Sequence, residues 1–270
     1  MSSPILITSV GHGERLCSLM RQFNLTTAAE QVVPRLIEQD LAAALPVLAE
    51  VFEAEAEARH QRRVERLRRA SRLPPGKTFE TFDLTRLPAT LRHKLETLTA
   101  GAFLDDGTNV LAFGLPGTGK SHALAALGHR LIQLGRSVLF VPTFELVQDL
   151  LAAKRDLELP RQLRKLDNFD LVVLDDIGYV QQSQEEAEVL FTLLAERYER
   201  RSVALTSNLV FSEWDRIFKN KMATSAAIDR LVHHSTILEF DVDSYRTKGA
   251  KRRKTEESDD DQRPPRSRAG

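Results

Sequence analysis

The chain has 270 residues, with 38 Lys and Arg against 38 Asp and Glu, so its formal net charge is zero and any surface for an acidic partner must come from local clustering. Hydrophobic residues make up 42%, enough for one α/β domain with a smaller appendage. No apolar run reaches the roughly 18 residues of a membrane span, and the N-terminus does not read as a secretory signal. The single cysteine, Cys17, excludes an intrachain disulfide and a cysteine-based metal site, and it fits a reducing cytoplasm.

Residues 1–23 are weakly patterned and predict a flexible lead. Thr26 or Thr27 with Ala28-Ala29-Glu30 reads as a helix start. From there to about Arg72 the pattern is helical. Leu36, Leu41, Leu45, Leu48, Val51 and Phe52 form one apolar stripe, while Pro34 and Pro46 are expected to start or kink helices. Beyond Glu57 the residues Arg59, Arg62, Arg63, Arg66, Arg68, Arg69 and Arg72 crowd together. They read either as a solvated face balanced by Glu53, Glu55, Glu57 and Glu65 or as a phosphate-contacting arm. Pro74-Pro75-Gly76 breaks the helix and sets a domain boundary, giving a helical domain over 1–73 and a second domain over 74–247. Phe79 and Phe82 are available to pack against that second domain.

Leu91 to Ala102 reads as a helix, and Asp105-Asp106-Gly107 as a turn ahead of the strand Asn109 to Phe113. Strands then alternate with helices. Ser137–Pro142, Asp170–Asp176, Ser202–Asn208 and Thr236–Phe240 are strands; Phe144–Arg155, Arg161–Leu166, Gln184–Arg201, Phe211–Phe218 and Thr224–His233 are helical. Short, nearly continuous apolar strands between helices predict a parallel sheet covered on both faces. From Lys248 onward a basic cluster, an acidic run and a Pro/Arg/Ser ending predict a disordered tail over 248–270.

The stretch Gly114-Leu115-Pro116-Gly117-Thr118-Gly119-Lys120-Ser121 matches the phosphate-binding loop G-x-x-x-x-G-K-S, and it lies between a strand and an Ala/Leu-rich helix. Small or absent side chains let backbone N–H groups close around phosphate oxygens. Lys120 is expected to face the β- and γ-phosphates, Ser121 to hold Mg²⁺, and the helix entered through Ser121 and His122 to offer its positive end. Asp175 and Asp176 end an apolar strand, from which a carboxylate can reach that Mg²⁺. Asp175 is assigned to the metal shell and Asp176 to the attacking water. Asn208, ending the fourth strand, is placed between the γ-phosphate and that acid. Arg230 is a candidate finger toward a neighbouring subunit's γ-phosphate. Lys154, Arg155, Arg161, Arg164 and Lys165 cluster before the third strand, either as a solvated face or as a track for a nucleic-acid backbone. His233-His234 shows no third metal ligand at useful spacing and is taken as structural. Trp214 is expected in the core and Cys17 to be inert.

Gly114 to His122, Leu171 to Tyr179, Arg197-Tyr198-Glu199-Arg200-Arg201, Thr206 to Trp214 and Ile228 to Ser235 together resemble the IstB family. These are helper ATPases of transposition in the AAA+ superfamily, near the DnaC-type helicase loaders. The resemblance runs from about Leu36 to Arg246. It implies an α/β fold, in which a P-loop AAA+ parallel five-stranded sheet flanked by helices follows a small all-α domain. It further implies an ATP-dependent homo-oligomer assembling on duplex DNA, DNA deformation and recruitment of a cognate transposase; Mg²⁺ as cofactor and the absence of a membrane partner are expected from the residues themselves. It also supports Asp176 as catalytic acid, Asn208 as first sensor and Arg230 as the finger supplied in trans. Val242-Asp243 before Ser244-Tyr245-Arg246 departs from the family pattern, which leaves a nucleotide-sensing role for Arg246 open; the charged tail lies outside that pattern. A helicase loader, a DNA-binding scaffold with ATP as a structural ligand and a small-molecule P-loop kinase are the rival readings. The paired acids and Asn208 disfavour the kinase.

Overall fold

The computed structural model describes residues 4–177, 183–210, 213–214 and 221–241. By contact density the chain divides into two units, Met1–Arg66 and Leu67–Gly270.

The first unit contains α1 (Pro4–Gln22) and α2 (Thr26–Glu38), and α3 (Leu45–Ala70) starts within it. The flexible lead expected over residues 1–23 is therefore corrected: α1 is a regular helix. Leu16 and Met20, about one helical turn apart, reach the small core formed with Ala29, Leu45 and Ala49. Phe23 stacks on Phe52 at 5.8 Å, and the Cys17 thiol donates to the Ala29 carbonyl. Pro46 sits in the first turn of α3, as a residue lacking an N–H can. Pro34 lies inside α2 rather than at its start. It is exposed there, so the carbonyl that its missing N–H leaves open can turn to water.

The second unit is built on five parallel strands: β1 (Asn109–Gly114), β2 (Val138–Pro142), β3 (Leu171–Ile177), β4 (Ser202–Ser207) and β5 (Ser235–Phe240). Their order is β2-β3-β4-β1-β5, every neighbouring pair parallel. Between them run α4 (Ala89–Leu98, ahead of β1), α5 (Lys120–Gln133), α6 (Thr143–Arg155), α7 (Leu159–Asp167), α8 (Gln184–Arg197) and α9 (Lys221–His233). Period-two alternation sends Leu139, Val141, Val172 and Leu174 toward α6–α9, where they join Leu146, Leu150, Leu190 and Leu194 in one core. The opposite face receives α5. A methyl added at Gly128 there would meet Leu73 Cδ2 at 2.8 Å and Val138 Cγ1 at 3.3 Å. Glycine lets α5 lie close both to β2 and to the segment leading in from α3. Ser71, within that segment, accepts from the Phe140 N–H at 2.7 Å and so extends the edge of β2.

Arg197 closes the far end of α8. It is 1% exposed, and its guanidinium donates to the carbonyls of Leu166, Phe169 and Ser202, each at 2.9 Å. Burial lowers its pKa to about 10, so it stays charged at neutral pH. A buried cation held by carbonyls, with its Nε lacking a hydrogen-bond partner among the described residues, is costly to install, but it ties α7, the start of β3 and β4 into one frame. Trp214 is fully buried in the same core, 6.3 Å from Phe113, as expected.

Candidate functional site

Four strand ends converge on the site. β1 ends at Gly114, whose φ of +149° and closeness to β5 both demand glycine: a Cβ there would lie 2.5 Å from the Phe240 carbonyl oxygen. The loop then turns through Gly117 (φ +79°) and Gly119 (φ +103°), left-handed positions that other residues resist. The Thr118 hydroxyl pins the turn by donating to the Leu115 carbonyl at 2.9 Å. Leu115 and Pro116 lie on the exposed outer side of the loop. α5 starts at Lys120, so Ser121 and His122 occupy its first turn beside unpaired backbone N–H groups.

Lys120 is buried to 6% exposure. Its ammonium donates to the carbonyls of Gly114 (2.6 Å) and Leu115 (2.9 Å) and to Asn208 Oδ1 (2.7 Å). Asn208 follows β4 immediately, and its Nδ2 donates to Asp176 Oδ1 at 3.3 Å. The two acids differ sharply in setting. Asp175 is half-buried and accepts the Thr206 hydroxyl at 2.7 Å. Asp176 is exposed, adopts φ +64°, and its own N–H donates to Thr206 Oγ1 at 2.7 Å. The β3–β4 register slips between Leu174 and Ile177, and this bulge lets two consecutive acids face the same end of the sheet. Thr206 holds both acids, a role the sequence reading missed. Its place is set by the pairing of β3 with β4, one residue beyond the Leu205 that pairs with Leu174.

His122 is held from outside the loop. Its Nε2 lies 3.0 Å from the Thr78 carbonyl and 3.1 Å from Thr81 Oγ1, and its ring is 4.8 Å from Phe82. The segment after the Pro74-Pro75-Gly76 break therefore closes over the first turn of α5. Thr78, Thr81 and Phe82 were not recognised from sequence as neighbours of the phosphate loop, because the contact spans the whole of α4 and β1.

Arg230 lies on α9, stacked at 4.8 Å over Phe191 of α8. Its Nη1 is buried and has no hydrogen-bond partner among the described residues. Asn109 fixes this end of α9, donating to the carbonyl of Leu231 at 3.2 Å while accepting from the Val203 N–H at 2.9 Å. Arg230 is thus not brought to this chain's own Lys120 cluster by any observed contact.

The basic residues are partly engaged. Glu55 accepts from Arg59 (2.6 Å) and Arg62 (3.2 Å), and Arg59 also lies over Phe23 at 4.2 Å. Those bonds hold the Glu55 carboxyl below its ordinary range, the Arg59 bond first. Arg63 and Arg66 are exposed on the same helix. Lys154 pairs with Glu188 at 2.9 Å and Arg161 with Glu158 at 3.3 Å, while Arg155, Arg164 and Lys165 are exposed. Arg246, Tyr179, the helix expected over Phe211–Phe218 (Glu213 and Trp214 excepted) and the tail over 248–270 lie outside the described residues.

A phosphate loop on a parallel β2-β3-β4-β1-β5 sheet, with acids ending β3 and a polar residue ending β4, defines a P-loop protein of the AAA+ class. Solved structures of that class share the fold. The DnaC helicase loader superposes with a TM-score of 0.51 at 17% identity, covering 60% of this chain and 96% of that one. The replication initiator DnaA bound to AMPPCP and single-stranded DNA superposes with a TM-score of 0.54 at 18% identity, covering 69% and 56%. Within that class, residues 18–254 match the model of the IstB-like ATP binding proteins, and the chain belongs to that family. It is 47% identical over 204 residues to an insertion-sequence ATP-binding protein of Sinorhizobium fredii, covering 75% of this chain and 68% of that protein. It is 37% identical over 235 residues to the ATP-binding protein of insertion sequence IS21 from Pseudomonas aeruginosa, covering 87% and 88%. Among the described residues no helix is long and apolar enough to cross a membrane.

Proposed function

We propose that the protein is an ATP-hydrolysing helper of transposition, acting in the cytoplasm as a homo-oligomer on duplex DNA and engaging a cognate transposase. One observation carries the hydrolytic part: Asn208 joins Lys120 to Asp176 across the mouth of the loop. A γ-phosphate entering there would take over the Lys120 ammonium, which must leave the Gly114 and Leu115 carbonyls. Asn208, released from Lys120, would then lie between that phosphate and Asp176. Asp176, exposed and held through its backbone by Thr206, presents a carboxylate that would accept the proton of an attacking water. The hydroxyl of Ser121 and the carboxylate of Asp175 would supply oxygen donors of the kind Mg²⁺ takes, and the ion would neutralise charge on the phosphates. Gly117, Gly119 and the first turn of α5 supply backbone N–H groups. Arg230 would complete the site of a neighbouring subunit rather than its own.

The DNA-facing part of the reading rests on the insertion-sequence relatives and on the arginines of α3, with Arg63 and Arg66 exposed and Arg155, Arg164 and Lys165 exposed on the second unit. A phosphate-release assay with and without duplex DNA tests the whole reading. Turnover stimulated by DNA is expected; bound ATP without turnover would favour a DNA-binding scaffold.

The fold it shares with DnaC and DnaI favours a second reading, a helicase loader. A pull-down against a replicative helicase and against the transposase separates the two.

A further inference from the structure

After α8 the chain reverses in a tight turn, closed by the Arg200 N–H donating to the Arg197 carbonyl at 3.0 Å. Tyr198 has φ −52° and ψ 128°, and Glu199 has φ +56°. This is a type II turn, whose third position favours glycine. A glutamate occupies it instead. From that backbone its carboxylate reaches the end of α9, with Oε1 3.7 Å from His234 Nε2 and 4.0 Å from His233 Nδ1. The three ligand atoms lie within 4.8 Å of one another, on exposed residues. The two imidazoles meet edge to face at 4.3 Å, and the Tyr198 hydroxyl shares a hydrogen bond with His233 Nδ1 at 3.2 Å. Sequence alone offered His233-His234 without a third ligand, because Glu199 precedes β4 and the histidines precede β5. The sheet brings them together.

We propose that Glu199, His233 and His234 bind a divalent transition-metal ion, with Zn²⁺ as the fitting choice. Two imidazoles and one carboxylate suit Zn²⁺ and not Mg²⁺ or Ca²⁺, which take oxygen ligands. Zinc bonds of about 2.0–2.2 Å set tetrahedral ligand atoms roughly 3.4 Å apart, so the exposed side chains must close by about 1.5 Å at most. The Tyr198 hydroxyl bonds to the same His233 Nδ1 that would ligate the ion, so binding must displace it, and the fourth position is left to water. This site is separate from the one that would hold Mg²⁺. It lies at the amino ends of β4 and β5, whereas the phosphate loop and the acids lie at the carboxyl ends of β1 and β3. A bound ion would tie the α8–β4 turn to the end of α9, just past Arg230.

The test is calorimetric titration of the metal-free, nucleotide-free full chain with ZnCl₂, repeated with Co²⁺ to follow visible absorption. One Zn²⁺ per chain is expected, with tetrahedral-type Co²⁺ bands. Glu199→Gly and His234→Ala should each weaken binding at least tenfold, while His60→Ala should leave it unchanged. Glu199→Gly also relieves the left-handed backbone, so its metal-free thermal midpoint should equal or exceed the parent's; the loss is then of a ligand and not of the fold. Absence of saturable Zn²⁺ binding, or parental affinity in Glu199→Gly and His234→Ala, overturns the proposal.

Discussion

Lys120 donates to Asn208 Oδ1 at 2.7 Å, and the same amide donates onward to Asp176 at 3.3 Å. One side chain at the end of β4 thus couples the group that would bind phosphate to the group that would activate water. The coupling has a direction. Lys120 donates to two carbonyls of its own loop as well as to Asn208, and a triphosphate offers it stronger, charged acceptors. Nucleotide entry should therefore free Asn208 to reorient toward the γ-phosphate.

Lys120→Ala is expected to abolish ATP binding and, with it, DNA-dependent oligomerisation. Fluorescent-nucleotide titration and light scattering on duplex DNA read the two effects. An unchanged oligomer on DNA would sink the claim that nucleotide closes the assembly.

Asn208→Ala should separate binding from turnover. Lys120 and the loop amides remain, so ATP affinity should change only a few-fold. Without the amide that positions Asp176, phosphate release should fall about 10²-fold. Equal losses in affinity and turnover would make Asn208 a plain phosphate ligand.

Arg230→Ala should keep ATP binding and lower turnover by about 10³-fold, the effect of removing a finger supplied in trans. The geometry makes this test specific, because Arg230 stacks on Phe191 and makes no observed contact with its own Lys120 cluster. Mixing Arg230→Ala with Asp176→Asn, which keeps Lys120 and so still binds ATP and assembles, should restore part of the activity, since an intact loop and acid can then face an intact arginine. No recovery in the mixture, with both variants folded, would remove Arg230 from the role.

Arg197→Met should cost about 3 kcal/mol or more, because several buried carbonyls lose a charged donor at once. Trp214, fully buried in the core shared with α8, reports unfolding of this unit by its fluorescence in urea. A shift of under about 1 kcal/mol would mean that water replaces the guanidinium.

Much of this was legible in the sequence. The strands of the second unit are short apolar runs bounded by helices, so each was found to within a residue or two, and the parallel sheet followed. The phosphate loop, Asp175, Asp176 and Asn208 could be read because backbone chemistry fixes their spacing or strand-end position. What escaped depended on contacts between distant segments. α1 packs through Leu16 and Met20 against Ala29 of α2 and Leu45 and Ala49 of α3, partners that lie in other helices. Thr206, Thr78 and Glu199 gain their neighbours only once the sheet forms: Thr206 across the β3–β4 pairing, Thr78 across α4 and β1, and Glu199 across β4 and α9.

Asp170 offers a test of the fold through pH. Burial works to raise its carboxyl pKa, but the N–H and hydroxyl of Ser137, both at 2.8 Å, and then the Arg201 guanidinium at 2.7 Å outweigh it and hold the folded value below 3.8. A depressed folded pKa means that the unfolded chain binds the proton more readily. The stabilisation is therefore complete above the unfolded value and is lost as pH falls through the folded one. Thermal midpoints read by Trp214 fluorescence should accordingly drop below about pH 4. Asp170→Asn should lower the midpoint at neutral pH, by a stability loss of about 1–2 kcal/mol, because the charge-assisted bonds from Ser137 and Arg201 become neutral ones. The same variant should flatten the acid limb, since it has no proton to take up at that position. An acid limb of unchanged steepness in Asp170→Asn would assign the pH dependence to other carboxylates, and a neutral-pH midpoint equal to the parent's would show that the Ser137–Asp170–Arg201 network contributes nothing to stability.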